Sequence, residues 1–270
     1  MENALVIGGL ALLGLCFGSF VNVAVWRIKN NKNLTTDRSE CVHCHHKLAW
    51  HDLIPVMSWL WLRGKCRYCS KPISLQYPLV ELAVAIVFAV SYMAWPYDLA
   101  GSVDWIFFGL WLISIVLLTI LFIYDLRWFL LPDKVTFPLI AVGVLMAALS
   151  IYQAGLGMEA VLQILLAVAI LSGLYLGLFM ASKGRWIGFG DVKLGIFLGL
   201  ALSSWPLALL CLFLANLLGC LYVIPGMLLR KLHRSSRIPF GPFLIVGFII
   251  SFLWGGSIID WYLSLTFGFV

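Results

Sequence analysis

The sequence has 270 residues and a formal net charge of +6, and 63% of its residues are hydrophobic while only 11% are charged. A soluble domain of this length has no use for so much apolar surface, so the composition excludes a soluble enzyme and indicates a polytopic membrane protein. The positive charge does not indicate nucleic-acid binding, because Lys and Arg in a membrane protein mark the cytoplasmic loops.

Hydropathy predicts an all-α polytopic membrane protein with eight transmembrane helices. The first apolar run is long enough to span the bilayer and has no basic region ahead of it, which argues against a signal peptide. The sixth segment is shorter than the roughly 20 residues that a span needs, and Trp205-Pro206 separates it from the seventh. The predicted segments are 3–26, 79–96, 104–124, 129–152, 159–181, 191–204, 206–229 and 239–263.

Lys and Arg occupy alternate loops of this arrangement. They follow segments one, three, five and seven, whereas the loops around 96–104, 153–159 and 203–205 contain none. The positive-inside rule then predicts that the N-terminus lies outside, with a lipid bilayer around eight crossings. We expect three parts: the first helix at 1–26, a cytoplasmic cysteine-rich module at 27–78, and a seven-helix membrane domain at 79–270.

The predicted module between helices 1 and 2 contains two CxxC pairs, whose four cysteines are Cys41, Cys44, Cys66 and Cys69. Four thiolates at this spacing are typical of a structural zinc site, which leaves no position open for catalysis. Two disulfides are the alternative, which the reducing cytoplasmic side disfavours. The histidines of the module are interpreted as solvated loop residues, as is the carboxylate of Asp52.

Two other carboxylates differ from the rest. Asp125 ends the third segment, and Asp191 begins the sixth within Gly188-Phe189-Gly190-Asp191. Each alone is equally well explained by an ion pair, with Arg127 and Lys193 respectively. The topology puts both at the cytoplasmic face, however, and this shared depth favours a catalytic pair.

Paired carboxyls suit peptide hydrolysis. Two nearby carboxyls do not both ionise readily, so one activates water while the other polarises the peptide carbonyl. We expect Gly188 and Gly190 to support the site by freeing the backbone and leaving room for a substrate. There is no HExxH motif, and no histidine lies in an apolar segment, so neither a zinc protease nor a serine–histidine protease is indicated.

The ordered motifs along nearly the whole chain resemble the type IV prepilin peptidases, a GxGD aspartyl protease family of the bacterial inner membrane. One departure is Val42, where the family commonly has proline. The matching stretches are GSFVNVAVWR at 18–27, the CxxC pairs, IPVMSWLWLRGKCRYC at 54–69, YPLVEL at 77–82, YDLRWFLLPD at 124–133, GFGDVKLG at 188–195 and IPFGPFLIVG at 238–247.

The resemblance implies cleavage of the basic leader of a prepilin or pseudopilin at the cytoplasmic membrane face, with Asp125 and Asp191 as the catalytic pair. It also implies N-methylation of the new N-terminal residue by S-adenosylmethionine. No glycine-rich nucleotide fingerprint locates the methyl donor, and Asn22, Arg27 and Glu81 are the candidate contacts. The substrate's single apolar helix would bring its scissile bond to the depth of the two aspartates.

Three alternatives stay open at this point, and one is a member of the resembled family that keeps the peptidase and has lost the methyltransferase. A presenilin or signal-peptide-peptidase type of GxGD protease shares the Tyr-Asp and GxGD motifs, but its late Pro-Ala-Leu element is not found and it does not predict the cysteine module. A non-enzymatic transporter or assembly subunit could use an acidic pair, although repeat halves and midplane carboxylates would then be expected.

Overall fold

The computed structural model describes residues 2–34, 38–231, 233 and 238–268, and this part of the chain is helical, with two isolated β-bridges and no strand. A 3-10 turn spans Trp50–Asp52, and a π-helical turn at Ala169–Gly173 joins α6 to α7. The helices are α1 (Glu2–Lys29), α2 (Met57–Trp61), α3 (Gln76–Met93), α4 (Ser102–Trp128), α5 (Asp133–Gln153), α6 (Met158–Val168), α7 (Leu174–Ser182), α8 (Phe189–Leu202), α9 (Trp205–Leu228) and α10 (Gly241–Phe267).

The predicted all-helical class is confirmed. Among the described residues, seven helical stretches are long and apolar enough to cross a membrane, with α6 and α7 counting as one stretch. Helix α8 is the remaining predicted span, but its 14 residues are fewer than that criterion requires. The count of eight crossings therefore stays a prediction.

The chain forms two compact units, and the first extends to Trp95. Here α1 packs against α3 through two glycines spaced four residues apart. A Cβ on Gly14 would lie 2.6 Å from the Cα of Ala85, and one on Gly18 would lie 2.5 Å from the Cα of Glu81. Because small residues at this spacing let two backbones touch, the Gly14–Gly18 pair fixes the register of the two helices.

The second unit, from Pro96 onward, contains α4 to α10. Its core lies along α4 and α10, where the fully buried Trp111 stacks on Phe252 with ring centroids 4.0 Å apart. The buried ring of Phe248 extends this cluster to Phe197 of α8, at 5.5 Å. These large aromatic contacts hold α4, α8 and α10 together.

Helix α8 is also held closely by the stretch from α6 to the π-helical turn. A Cβ on Gly195 would lie 2.8 Å from the carbonyl oxygen of Leu171, and one on Gly199 would lie 2.5 Å from the Cα of Val168. The hydroxyl of Ser172 donates a hydrogen bond of 3.1 Å to the carbonyl oxygen of Val192. The backbone of α8 is thereby fixed directly after its first turn.

Candidate functional site

Asp125 lies in the last turn of α4 and is 7% exposed. Phe129 ends the helix in a left-handed conformation and donates its N–H to the Asp125 carbonyl, which turns the chain away and leaves the side chain facing the protein. The carboxylate accepts a hydrogen bond of 2.9 Å from the backbone N–H of Gly241, the first residue of α10.

Asp191 is the third residue of α8, and Gly188 is the N-cap of that helix. Its carboxylate accepts a hydrogen bond from the backbone N–H of Gly188, which is half of a capping box. A negative charge in the first turn is also favoured by the helix dipole. The sequence therefore positions this carboxyl at a helix N-terminus rather than in free solvent.

The structure brings the two aspartates within electrostatic range, because the charge of Asp125 acts on Asp191. The alternative ion pairs are not formed in the described part of the chain. The Lys193 ammonium lies 2.6 Å from an Asp133 carboxylate oxygen, and the Arg127 guanidinium lies 5.9 Å from the ring of Trp128. Neither Asp125 nor Asp191 is therefore paired with the basic residue that follows it two positions later in the sequence.

The two glycines act differently from the expectation. Neither Gly188 nor Gly190 has a positive φ, so the backbone freedom of glycine is not used at either position. A Cβ on Gly190 would lie 3.0 Å from the Cβ of Leu131, whereas one on Gly188 would meet nothing closer than 3.9 Å. Gly190 thus provides space for the α4–α5 connection beside Asp191, and Gly188 provides an open helix start.

The four cysteines of the module form a second cluster. Their sulfur atoms all lie within 4.8 Å of one another, and those of Cys41 and Cys69 are 3.9 Å apart. A tetrahedral zinc site with bonds of about 2.3 Å has sulfur atoms about 3.8 Å apart, so the donor set fits this metal. All four cysteines are free thiols, without a disulfide.

The two CxxC loops have the same backbone geometry. Cys41 donates its N–H to the carbonyl of His46 and accepts from His45, and Cys66 does the same with Lys71 and Ser70. His45 and Ser70 both have positive φ, at 56° and 58°, which closes each loop around its sulfur atoms. Two such loops together could hold one metal ion.

Hydrogen bonds within the cluster also favour the thiolate form of Cys41, which is the form that binds a metal. Burial opposes ionisation of Cys41, but the backbone N–H groups of Cys44 and His43 donate to its sulfur and lower its pKa to about 7. The N–H of Lys71 acts in the same sense on Cys69, yet burial and the neighbouring thiols raise the pKa of Cys69 to about 11. Metal binding would therefore displace protons from the cluster.

The expectation that Asp52 is a solvated surface residue is wrong, since its side chain is only 3% exposed. It accepts hydrogen bonds of 2.8 Å from Arg67 and 3.0 Å from Tyr68, and also accepts from the backbone N–H of Ala49. Burial alone would raise the pKa of Asp52, but these donors lower it below its usual value. Asp52 thus ties the chain after the first CxxC loop to the second loop.

Comparison with known proteins identifies the family. Residues 12–95 match the bacterial peptidase A24 N-terminal domain, and residues 112–224 match the type IV leader peptidase family. The prepilin leader peptidase/N-methyltransferase of Aeromonas hydrophila is 36% identical over 94% of this chain and 92% of its own length. The chain belongs to the type IV leader peptidase family. The proteins of the same description from Bacillus subtilis and Dichelobacter nodosus are each 31% identical, over 96% of this chain and 98% and 95% of their own lengths. No solved structure matches the chain.

Family membership favours the first interpretation of the sequence over the presenilin-type protease and the transporter. The type IV leader peptidase match includes both Asp125 and Asp191. It ends before Gly241, whose N–H is nevertheless the donor to Asp125. Sequence reasoning missed this glycine, because a backbone N–H has no signature in side-chain chemistry. The IPFG stretch at 238–241, one of the stretches that resemble the family, was the sequence signal that could have pointed to Gly241.

The candidate methyl-donor contacts of this family member all have partners in the first unit. The Asn22 amide donates to the carbonyl of Tyr77 at 3.1 Å, and the Arg27 guanidinium donates to the carbonyl of Leu34. Glu81 accepts a hydrogen bond of 2.7 Å from the N–H of Val56, a branched residue held at φ 60° and ψ −50°. Such a strained backbone persists only where its surroundings hold it, and here Glu81 does so. Binding of the methyl donor by these residues stays a prediction.

Proposed function

We propose that this protein cleaves the leader peptide of type IV prepilins or pseudopilins at the cytoplasmic face of the bacterial inner membrane, and then N-methylates the new N-terminal residue. The observation that carries the proposal is the approach of Asp125 and Asp191 from two different helices, within the region that matches the type IV leader peptidase family. The described relatives that carry both activities in their names align with more than nine-tenths of this chain.

Hydrolysis at this pair needs no covalent intermediate. The ionised carboxyl takes a proton from water as the water oxygen adds to the peptide carbonyl carbon, and the protonated carboxyl gives its proton to the carbonyl oxygen. The carbon–nitrogen bond then breaks, and the proton taken from water passes to the departing amine. The carbonyl oxygen returns its proton to the second carboxyl, so both aspartates recover their starting states.

Substitution of each aspartate tests the peptidase. In proteoliposomes with a model prepilin that has a basic leader and an apolar helix, Asp125→Asn and Asp191→Asn are expected to abolish cleavage. Asp104→Asn is the matched control, because Asp104 lies in the first turn of the same helix α4 and binds Gly101 and Gln153. Normal cleavage by either active-site variant would remove the catalytic assignment.

Labelled S-adenosylmethionine in the same assay tests the second activity. We expect both aspartate variants to methylate a substrate that has already been cleaved, because methyl transfer to an amine does not require the acidic pair. Loss of both activities together would indicate that the two reactions share residues, and an unlabelled product from the wild-type protein would restrict the function to cleavage.

We further propose that the chain crosses the bilayer eight times, with the N-terminus outside and α8 as the sixth span. Support comes from the basic residues, since every loop with Lys or Arg falls on one side only if α8 crosses. A Ser204→Cys variant, in the α8–α9 connection, should react with an impermeant maleimide added to the outside of cells. A Trp186→Cys variant, before α8, should react only after permeabilisation; labelling of both from one side would refute the eighth crossing.

The four-cysteine cluster is proposed to hold one structural zinc ion. The sulfur spacing and the paired loops support this assignment, and zinc would stabilise a module that is too small to have a large core. The purified protein should contain one zinc per chain, and Cys66→Ser should lose it. Thiol titration after chelation should reveal four additional reactive thiols, whereas two disulfides would reveal none.

A further inference from the structure

Tyr175 carries a buried polar group that no described residue bonds. The residue is 2% exposed, and its hydroxyl oxygen is fully enclosed with no hydrogen-bond partner in the part of the chain that the structure covers. An unsatisfied buried hydroxyl lowers stability, because it loses its hydrogen bonds to water and gains none in the protein. Native proteins keep few such groups, and a catalytic role is one reason for keeping them.

Two observations connect Tyr175 with the two aspartates. Its ring meets the ring of Phe240 at a centroid distance of 5.7 Å and an angle of 62°. Phe240 immediately precedes Gly241, the residue that binds the carboxylate of Asp125. The charge of Asp191 also acts on the Tyr175 hydroxyl. The hydroxyl therefore belongs to the same small region as the acidic pair.

The π-helical turn determines where this hydroxyl lies. Tyr175 follows the turn by two residues, and the turn is fixed to α8 by the bond from Ser172 to Val192 and by the close contact of Gly195 with Leu171. Asp191 begins the same helix α8. Turns of this kind are rare and occur frequently at functional sites, because the extra residue changes the direction of the side chains that follow.

A packing role alone does not explain the residue. Phenylalanine would fill the same space without the cost of an enclosed hydroxyl. The nearby Cys211 thiol is already directed to the carbonyl oxygen of Leu244, at 4.0 Å. The hydroxyl therefore has no protein group to satisfy it among the described residues, and it can bind a substrate once an entering substrate separates the side chains that enclose it.

We propose that Tyr175 is a further catalytic residue of the peptidase, donating a hydrogen bond from its hydroxyl to the carbonyl oxygen of the scissile peptide bond. This inference rests on the proposed peptidase function. As water adds to the carbonyl carbon, negative charge develops on the oxygen until proton transfer from the protonated carboxyl is complete, and the hydrogen bond strengthens over that interval. Tyr175 keeps its proton throughout, so the proton transfers of the aspartates are unchanged.

The test compares Tyr175→Phe with Tyr222→Phe in the full-length protein, using the model prepilin in proteoliposomes. Tyr222 is the matched control, because it also lies on a membrane helix and contacts a phenylalanine, Phe243, but is 57% exposed. We expect Tyr175→Phe to lower kcat about 100-fold, as for loss of one donor to a developing oxyanion, with KM within about threefold of wild type. Tyr222→Phe should leave both constants unchanged.

Thermal unfolding separates catalysis from structure. Removal of an unsatisfied hydroxyl leaves the packing intact, so Tyr175→Phe should unfold at the wild-type temperature or above it while its cleavage rate falls. Methylation of a pre-cleaved substrate should also persist. A lower unfolding temperature accompanied by loss of both activities would show that the hydroxyl has a structural partner, and would overturn the inference.

Cleavage within threefold of wild type by Tyr175→Phe would overturn the inference as well. If Asp191→Asn abolishes cleavage in that same experiment, the proposed peptidase function still stands. Absence of cleavage by the wild-type protein would instead refute the proposed function, and the role of Tyr175 with it.

Discussion

Gly241→Ala tests whether the backbone donor to Asp125 contributes to catalysis. The added Cβ would lie 2.8 Å from the Asp125 carboxylate oxygen and 3.4 Å from its carboxyl carbon. Relief of that overlap requires a displacement of about 0.5 Å, which would stretch the N–H···O distance, now 2.9 Å, beyond the usual limit of about 3.2 Å. A lost hydrogen bond to a charged group is worth about 1.5–3 kcal/mol, or roughly a 10- to 100-fold lower kcat.

The Gly241→Ala variant should lose activity, but its backbone conformation should not lower the stability of the protein. Gly241 is the first residue of α10 and has no positive φ, so alanine is not forced into a left-handed conformation there. Gly256→Ala is the matched control, because it lies on α10 and a Cβ there would meet nothing within 4 Å. The assay measures kcat for cleavage beside thermal unfolding in detergent. Wild-type kcat in Gly241→Ala would refute the reasoning.

Two further predictions follow from the packing. Gly199→Ala should reduce the free energy of unfolding by about 1–3 kcal/mol, because its Cβ would overlap the Val168 backbone at 2.5 Å. Chemical denaturation in detergent should show this loss, and a stability equal to that of Gly177→Ala, whose Cβ would meet nothing, would contradict it. Asp52→Asn should increase protease cleavage of the cysteine module about fivefold at neutral pH, the equivalent of about 1 kcal/mol. Because the pKa of Asp52 is lowered in the folded state, the stability that its carboxylate contributes is complete above about pH 4 and is lost as the pH falls through the folded-state pKa. Equal cleavage of the variant and the wild type at neutral pH would refute this prediction.

The sequence predicted the helical class and the members of both clusters because these depend on composition and spacing. Long apolar runs form helices in lipid, and the charge asymmetry predicted one depth for Asp125 and Asp191, whose charges are within range of each other in the structure. The CxxC spacing likewise predicted four sulfur atoms around one point, and they lie within 4.8 Å of one another. None of these inferences required knowledge of how the helices pack.

Features that depend on packing were missed. The burial of Asp52 follows from the folding of the second CxxC loop over the first, which no local pattern indicates. The Gly241 N–H is a backbone group, and the π-helical turn before Tyr175 has no sequence signature of its own. The glycine pairs of α1 and α8 did have a signature, because their four-residue spacing in apolar helices is typical of close helix contacts.

The length of α8 has a consequence for the lipid around the protein. Its 14 residues rise about 21 Å, whereas the hydrocarbon core of a bilayer is about 30 Å thick. If α8 is the sixth span, as proposed, a helix this short requires the bilayer to thin locally or leaves one of its ends below the membrane surface, and Asp191 is in its first turn. Water must reach that depth for hydrolysis to occur. With α8 as a span and Asp191 as a catalytic residue, the thickness of the surrounding membrane, set by acyl-chain length, would control the supply of one of the two reactants.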